Sequence, residues 1–325
     1  MNHHPPRQFI LSILRNIHAV LVLVLVTQGA IADAVWNSST GGSWLDPAKW
    51  SGPVPNAPGD VATLTRSSAS TINIDVPSTV TVGEVRIFGP PAFALAGVGP
   101  LVFDRPGADP AALNVMSPRV HRVGVAIDIV DGETLAVTAT NSATLILEKG
   151  FTAGTGDATL NAAGGERIEL RDGSPLWDGT LSVNGGTVWV GKVNAFGAGA
   201  GTTIVNAGGT LNFTNSQTLN DEQFRLVGGT LTASGSLGIN GPIDLAATSN
   251  LGGTLTINGP ITGAGGLNIN SGTISLGGNN AYEGLTTIAR RLDERILRTA
   301  QRSAHHRHNS LGRTASLGRP HSLRV

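Results

Sequence analysis

Asp157, Glu166, Glu169, Asp172 and Asp178 fall in one short stretch, beside Arg167 and Arg171. Carboxylates paired with one another or with a cation are what a polysaccharide lyase or hydrolase sets in a groove, one giving a proton and another taking it. The same residues in a row also make an ordinary solvated face, which is the commoner outcome. Between Thr180 and Ile288 the acids thin to Asp221, Glu222, Asp244 and Glu283. Asp128, Asp131 and Glu133 invite a calcium site, but that ion takes roughly six to eight oxygens. Alternation along a strand sends these three to two faces, so a solvated turn is expected. His121 is the lone histidine between the N-terminal region and the tail, and nothing near it resembles a nucleophile elbow. Gly186, Gly191 and Lys192 nearly spell a phosphate loop, yet Val193 stands where a hydroxyl is needed and no helix follows. The chain has no cysteine, so disulfides, thiolate metal sites and cysteine nucleophiles are excluded. The expectation is no catalytic residue, no cofactor and no metal.

The elements that would position such groups follow from composition. Glycine supplies 44 of 325 residues, about twice ordinary usage, while aromatics are 4% and charged residues 14%. Apolar residues still make 40%, which argues against disorder. Gly, Thr, Asn and Val are poor helix formers, so an all-β chain is expected. Period-two alternation appears at Ile72, Ile74 and Val76, at Val123, Val125, Ile127 and Ile129, and again at Leu145, Leu147, Ile168 and Leu170. These short runs end at turn signals such as Asp131-Gly132, Asp172-Gly173 and Asn240-Gly241.

A Gly-Gly-Thr-aliphatic motif then recurs, its second glycines standing at Gly186, Gly209, Gly229 and Gly253. A period of about 20–25 residues signals a solenoid in which each coil lies parallel on the last, about 4.8 Å away. A right-handed parallel β-helix of roughly ten coils over residues 61–288 is expected, its thin aliphatic core needing little aromatic bulk. A β-sandwich is the competing fold.

Residues 1–34 read as a signal peptide. A positive start with Arg7 and Arg15 precedes the apolar run from Ala19 to Val26, and Ala30-Ile31-Ala32 or Ala32-Asp33-Ala34 offers the cleavage site. The apolar run is too short to span a bilayer, so export with cleavage near Ala32 or Ala34 is expected, without a transmembrane segment in the mature chain. Residues 35–60 form a Trp/Pro-rich segment holding Trp36, Trp44 and Trp50. Indole faces stack on sugars, but they also cover the open end of a stack of strands. The lack of clustered Asp, Asn and Arg beside them favours the cap.

Gly263-Ala264-Gly265-Gly266-Leu267 opens a stretch that continues through Ser271-Gly272-Thr273-Ile274 and closes at Asn280-Ala281-Tyr282-Glu283-Gly284-Leu285-Thr286-Thr287-Ile288. This stretch resembles the autotransporter-associated β-strand repeat, and Gly179–Phe213 is a looser match. The resemblance implies a passenger-like β-helix on, or released from, a bacterial surface, and it carries over no catalytic residue. An exported structural or adhesin-like protein is expected, with a carbohydrate-active or glycan-binding β-helix as the alternative. Host, matrix or surface glycans and neighbouring cells are the expected partners, the export machinery acts through the signal peptide, and nucleic acid is not expected.

Two departures accompany the resemblance. Autotransporters carry a C-terminal membrane barrel, and nothing in this sequence resembles one. Residues 289–325 abandon the repeat for nine Arg against Asp293 and Glu294, while residues 35–288 carry 11 Lys and Arg against 19 acids. The abrupt change reads as a slipped reading frame. The alternatives are a genuine basic tail, disordered or with a short helix over residues 289–301, and a metal or polyanion site at His305, His306 and His308.

Overall fold

A computed structural model describes residues 31–67, 70–152, 154–173, 177–192, 195, 201–289 and 322–323. The hydrophobic run of the signal-peptide reading, and the tail apart from Ser322–Leu323, lie outside them. Contacts divide the chain into Met1–Ile31 and a compact unit that begins at Ala32.

That unit is a parallel β-solenoid of about ten coils, each laying strand segments on up to three faces. On the first face Asp33–Val35 pairs with Val61–Thr65, which pairs with Glu84–Phe88, then Ala111–Met116 and Thr134–Ala139. The ladder continues through the long strands Asp157–Leu170 and Leu181–Val190 to Thr202–Asn206, Gln223–Val227, Ile243–Ala247 and Ile261–Gly263. The long strands turn the corner without a break, so one strand serves two faces. The lone helix among the described residues is a short 3-10 turn, Pro47–Lys49, capped by the Asp46 side chain. Ser322–Leu323 lies antiparallel to Thr286–Ile288.

Period-two alternation puts every second side chain inside, and parallel register stacks equivalent positions into columns. On the second face Ile72 meets Phe93, while His121, Leu145, Ile168, Val188, Leu211, Leu231 and Leu251 follow coil by coil. All are essentially excluded from solvent. A buried aliphatic side chain contributes about 1.5–3 kcal/mol, so these columns answer how a chain so poor in aromatics holds together. The third face begins as the strands Val80–Val82, Leu101–Phe103 and Ile127–Ile129. It then becomes irregular, and Phe151 and Trp177 fill the space with rings 4.7 Å apart.

Coil length varies early in the stack and is short toward its end. The step from Val85 to its partner Leu113 is longer than that from Ile72 to Phe93, and the step from Ile243 to Ile261 is shorter than either. The Gly-Gly-Thr spacing needs correcting at its last step. Thr187, Thr210 and Thr230 do stack, but Thr230 pairs with Asn250 rather than Thr254. Gly252-Gly253 therefore belongs to the next corner, between the second and third faces. Positive φ is the common need at both corners, at Gly186 (+64°) and at Gly253 (+79°). A Cβ at Gly186 would overlap the Ala162 carbonyl, and one at Gly253 the Ala233 carbonyl.

Trp36, Trp44 and Trp50 are all buried in the first coil. Trp50 meets the other two edge-on at 5.2 and 5.0 Å, and the Trp44 and Trp50 indole N–H groups donate to the Pro55 and Trp44 carbonyls. Their faces are spent on the core and present no sugar platform. Trp44→Ala is expected to cost about 3–5 kcal/mol by opening a cavity. Because coils touch only neighbours, hydrogen exchange should accelerate at residues 33–65 and stay unchanged beyond residue 202. Equal acceleration throughout would contradict this nearest-neighbour coupling.

Candidate functional site

The charged cluster expected from the sequence does assemble, on the outward side of the second face. Arg167 and Glu169 alternate along the strand Asp157–Leu170 and so point the same way, and Arg171 continues the alternation just past its end. Glu169 contacts Arg171 at 3.1 Å and Arg167 at 3.4 Å. The next coil brings Trp189 opposite Glu169, and the Arg167 guanidinium sits 4.2 Å from the Trp189 ring centroid. Lys192 reaches back to Asp172 at 2.6 Å. The Lys192 hydrogen bond, followed by the Gly173 N–H, holds the Asp172 carboxyl below its ordinary range. A glycosidase acid needs the opposite shift. Glu169 is likewise committed to two cations, so neither carboxylate of this band is left without a cation.

Of the other acids of that stretch, Asp178 is exposed just before the corner into the next coil, while Asp157 and Glu166 are structural. Asp157 accepts from the Thr180 N–H at 2.8 Å, and Glu166 from the Ser142 N–H at 3.0 Å. Glu166 is buried, and its second oxygen has no hydrogen-bond partner among the described residues. Asp131 accepts from both the N–H and the hydroxyl of Thr155, which fixes a turn. Among the described residues no group of three His, Asp or Glu side chains could hold a metal. Gly186 and Lys192 lie on and just beyond the strand Leu181–Val190, with no phosphate-loop geometry.

Three more buried polar groups matter here, of which the sequence reading missed Glu84 and named His121 and Glu222 without placing them inside. Glu84, buried on the first face, takes two bonds from Arg86 at 2.7 and 2.8 Å and one from Asn114 at 2.9 Å. His121 sits in the core, stacked 6.3 Å from Phe93, with its Nδ1 accepting the Phe93 N–H at 3.2 Å. Burial pulls its imidazole down to about 4, the Ser117 backbone opposing part of the shift. Glu222 lies buried at the corner between the third and first faces. Burial pushes its carboxyl up to about 8, against the Thr203 hydroxyl of the preceding coil. Alternation backward from Val123 would have placed His121 inside, whereas no local pattern marks Glu222.

Apart from Arg167, the outward row of the second face in which that residue stands is made of short polar side chains. Thr144, Arg167, Thr187, Thr210, Thr230, Asn250, Asn268 and Thr287 stack one per coil. A parallel β-solenoid with such a polar exterior is the class this geometry defines. The chain is 30% identical over 197 residues to the adhesin BmaC autotransporter of Brucella suis biovar 1 (strain 1330), covering 56% of this chain. It spans only 5% of the length of that relative. No family model matches the chain, and no solved structure matches it. The resemblance to an autotransporter passenger thus rests on an adhesin relative and a solenoid fold together.

The two buried titrating groups give opposite pH dependences. His121 is neutral in the fold, and its pKa lies below the ordinary 6.5. Its stabilisation is therefore full above 6.5 and lost as pH falls toward 4. Glu222 is protonated in the fold, and its stabilisation is full below 4.5 and lost as pH rises toward 8. His121→Leu should flatten the acid limb of a urea-midpoint profile. Glu222→Gln should flatten the alkaline limb, by up to a few kcal/mol near pH 8. An unchanged limb in either variant would remove that residue from the account.

Proposed function

We propose that this chain is part of an exported, surface-exposed adhesin-like passenger that works by binding and not by catalysis. The adhesin relative carries the proposal, and the polar rows of the solenoid support it. Such a surface offers host, matrix or surface glycans and neighbouring cells many weak contacts repeated coil after coil. The charged band at Glu169 and Asp172 gives the carbohydrate-active alternative little support, because each carboxylate already faces a cation.

Export through a signal peptide belongs to the same proposal, and among the described residues no helix is long and apolar enough to cross a membrane. The start of the solenoid favours one of the two cleavage sites. Asp33 pairs with Val61, and Ala34 is fully buried. Cleavage after Ala34 would remove two thirds of the first strand, whereas cleavage after Ala32 leaves it whole.

Beads coated with the purified chain are expected to bind epithelial cells or matrix-coated wells above bare beads. Binding equal to the bare beads would overturn the adhesin reading. New reducing ends or unsaturated products on a glycan panel would overturn the non-catalytic one. The secreted protein should begin at Asp33 in N-terminal mass analysis, and a start at Val35 would reverse the choice of site.

A further inference from the structure

A groove of about 530 Å³ crosses three successive coils of the third face. Its floor is the outward row Thr218, Gly238 and Thr256, set side by side by the strand register. Gly238 has no side chain, so the row is notched in its middle. One wall is an amide ladder, in which Asn240 donates to Asn220 and Asn258 donates to Asn240, each at 2.9 Å. Ser216 and Ser236 form the other wall, with the Ser236 N–H donating to the Ser216 hydroxyl at 3.1 Å. None of the lining residues is charged.

We propose that this groove binds a neutral polysaccharide lying along the stack, across the coils. The inference rests on the adhesin reading and names a ligand class for it. Three observations select that class. The groove offers amides and hydroxyls, which both donate and accept, as sugar hydroxyls require. These groups repeat at the coil spacing of about 4.8 Å, close to the length of one pyranose in an extended chain, so successive sugars meet equivalent partners. Asp221 is exposed beside the Asn220 end of the ladder, and residues 35–288 carry an excess of acid, so an anionic polymer is repelled. A peptide strand would need a free backbone edge, whereas the strands flooring the groove are paired with neighbouring coils.

Gly238 also supplies the test. A Cβ there would stand 3.0 Å from Thr218 Oγ1 and 3.2 Å from its Cγ2, contacts that a shift of a few tenths of an ångström in the exposed Thr218 side chain relieves. Gly238→Thr therefore fills the notch while strengthening the strand. Asn258→Ala is a second variant that removes one exposed amide from the wall. Calorimetric titration of the full chain would use cellohexaose and isomaltohexaose as neutral probes and hexagalacturonate as the acidic one. Binding of a neutral hexamer is expected, weakened about tenfold by Gly238→Thr and several-fold by Asn258→Ala, with both variants still folded at the titration temperature. Neither neutral hexamer binding, both variants binding like the parent chain, or tighter binding of hexagalacturonate would each overturn the proposal. The bead assay separates the two readings. Adhesion by the parent chain with neither neutral hexamer bound overturns the groove and spares the adhesin, while a hexamer that binds with no bead adhesion supports the groove and overturns the adhesin.

Discussion

Every coil of this protein depends on its neighbours for backbone hydrogen bonds. A parallel strand cannot pair within its own coil, so its N–H and C=O groups are satisfied only by the coils before and after it. That requirement fixes register, because a slip of one residue would turn every side chain to the wrong side. Register in turn makes the columns. The interior run from Ile72 to Leu251 and the exterior run from Thr144 to Thr287 are two results of one constraint. The groove on the third face is a local case, a column with one member missing.

Local chemistry and long-range register were unequally legible in the sequence. Period-two alternation at Ile72, Ile74 and Val76 announces a strand without help from the rest of the chain, and the buried, exposed, buried pattern there agrees. The Gly-Gly motifs announce corners for an equally local reason, a backbone with positive φ. What glycine does not encode is which corner it occupies. Gly252-Gly253 therefore looked like the successor of Gly228-Gly229 and proved to belong one face further on. The charged band divides the same way. Arg167, Glu169 and Arg171 share a face by alternation alone, but Trp189 and Lys192 join them from the next coil. Only the register between Asp157–Leu170 and Leu181–Val190, which shifts at two bulges, brings them there.

Burial of polar groups marks where this economy is set aside. The interior column of the second face is aliphatic or aromatic except at His121, whose Nε2 has no hydrogen-bond partner among the described residues. Glu222 breaks the pattern at a corner, where its carboxyl is buried. An apolar residue would avoid the desolvation penalty at either place. Both sit where neighbouring coils close over them, so each reports the integrity of its own level of the stack.

The short coils toward the end of the stack have a mechanical side. Broad coils, such as those linking Val85 to Leu113 and Ala158 to Leu181, stand in the first half, where Trp36, Trp44, Phe93, Phe103 and Trp177 fill the interior. Shorter coils follow, such as those linking Ile243 to Ile261 and Thr262 to Ala281, with thinner contents and amide ladders along their outer rows. Cohesion in a solenoid is the sum of coil-to-coil steps, so thinner coils are joined by weaker steps. Pulled along its axis, the stack would peel from its narrow half one coil at a time and keep its Trp-filled half wound, lengthening in increments like a shock absorber.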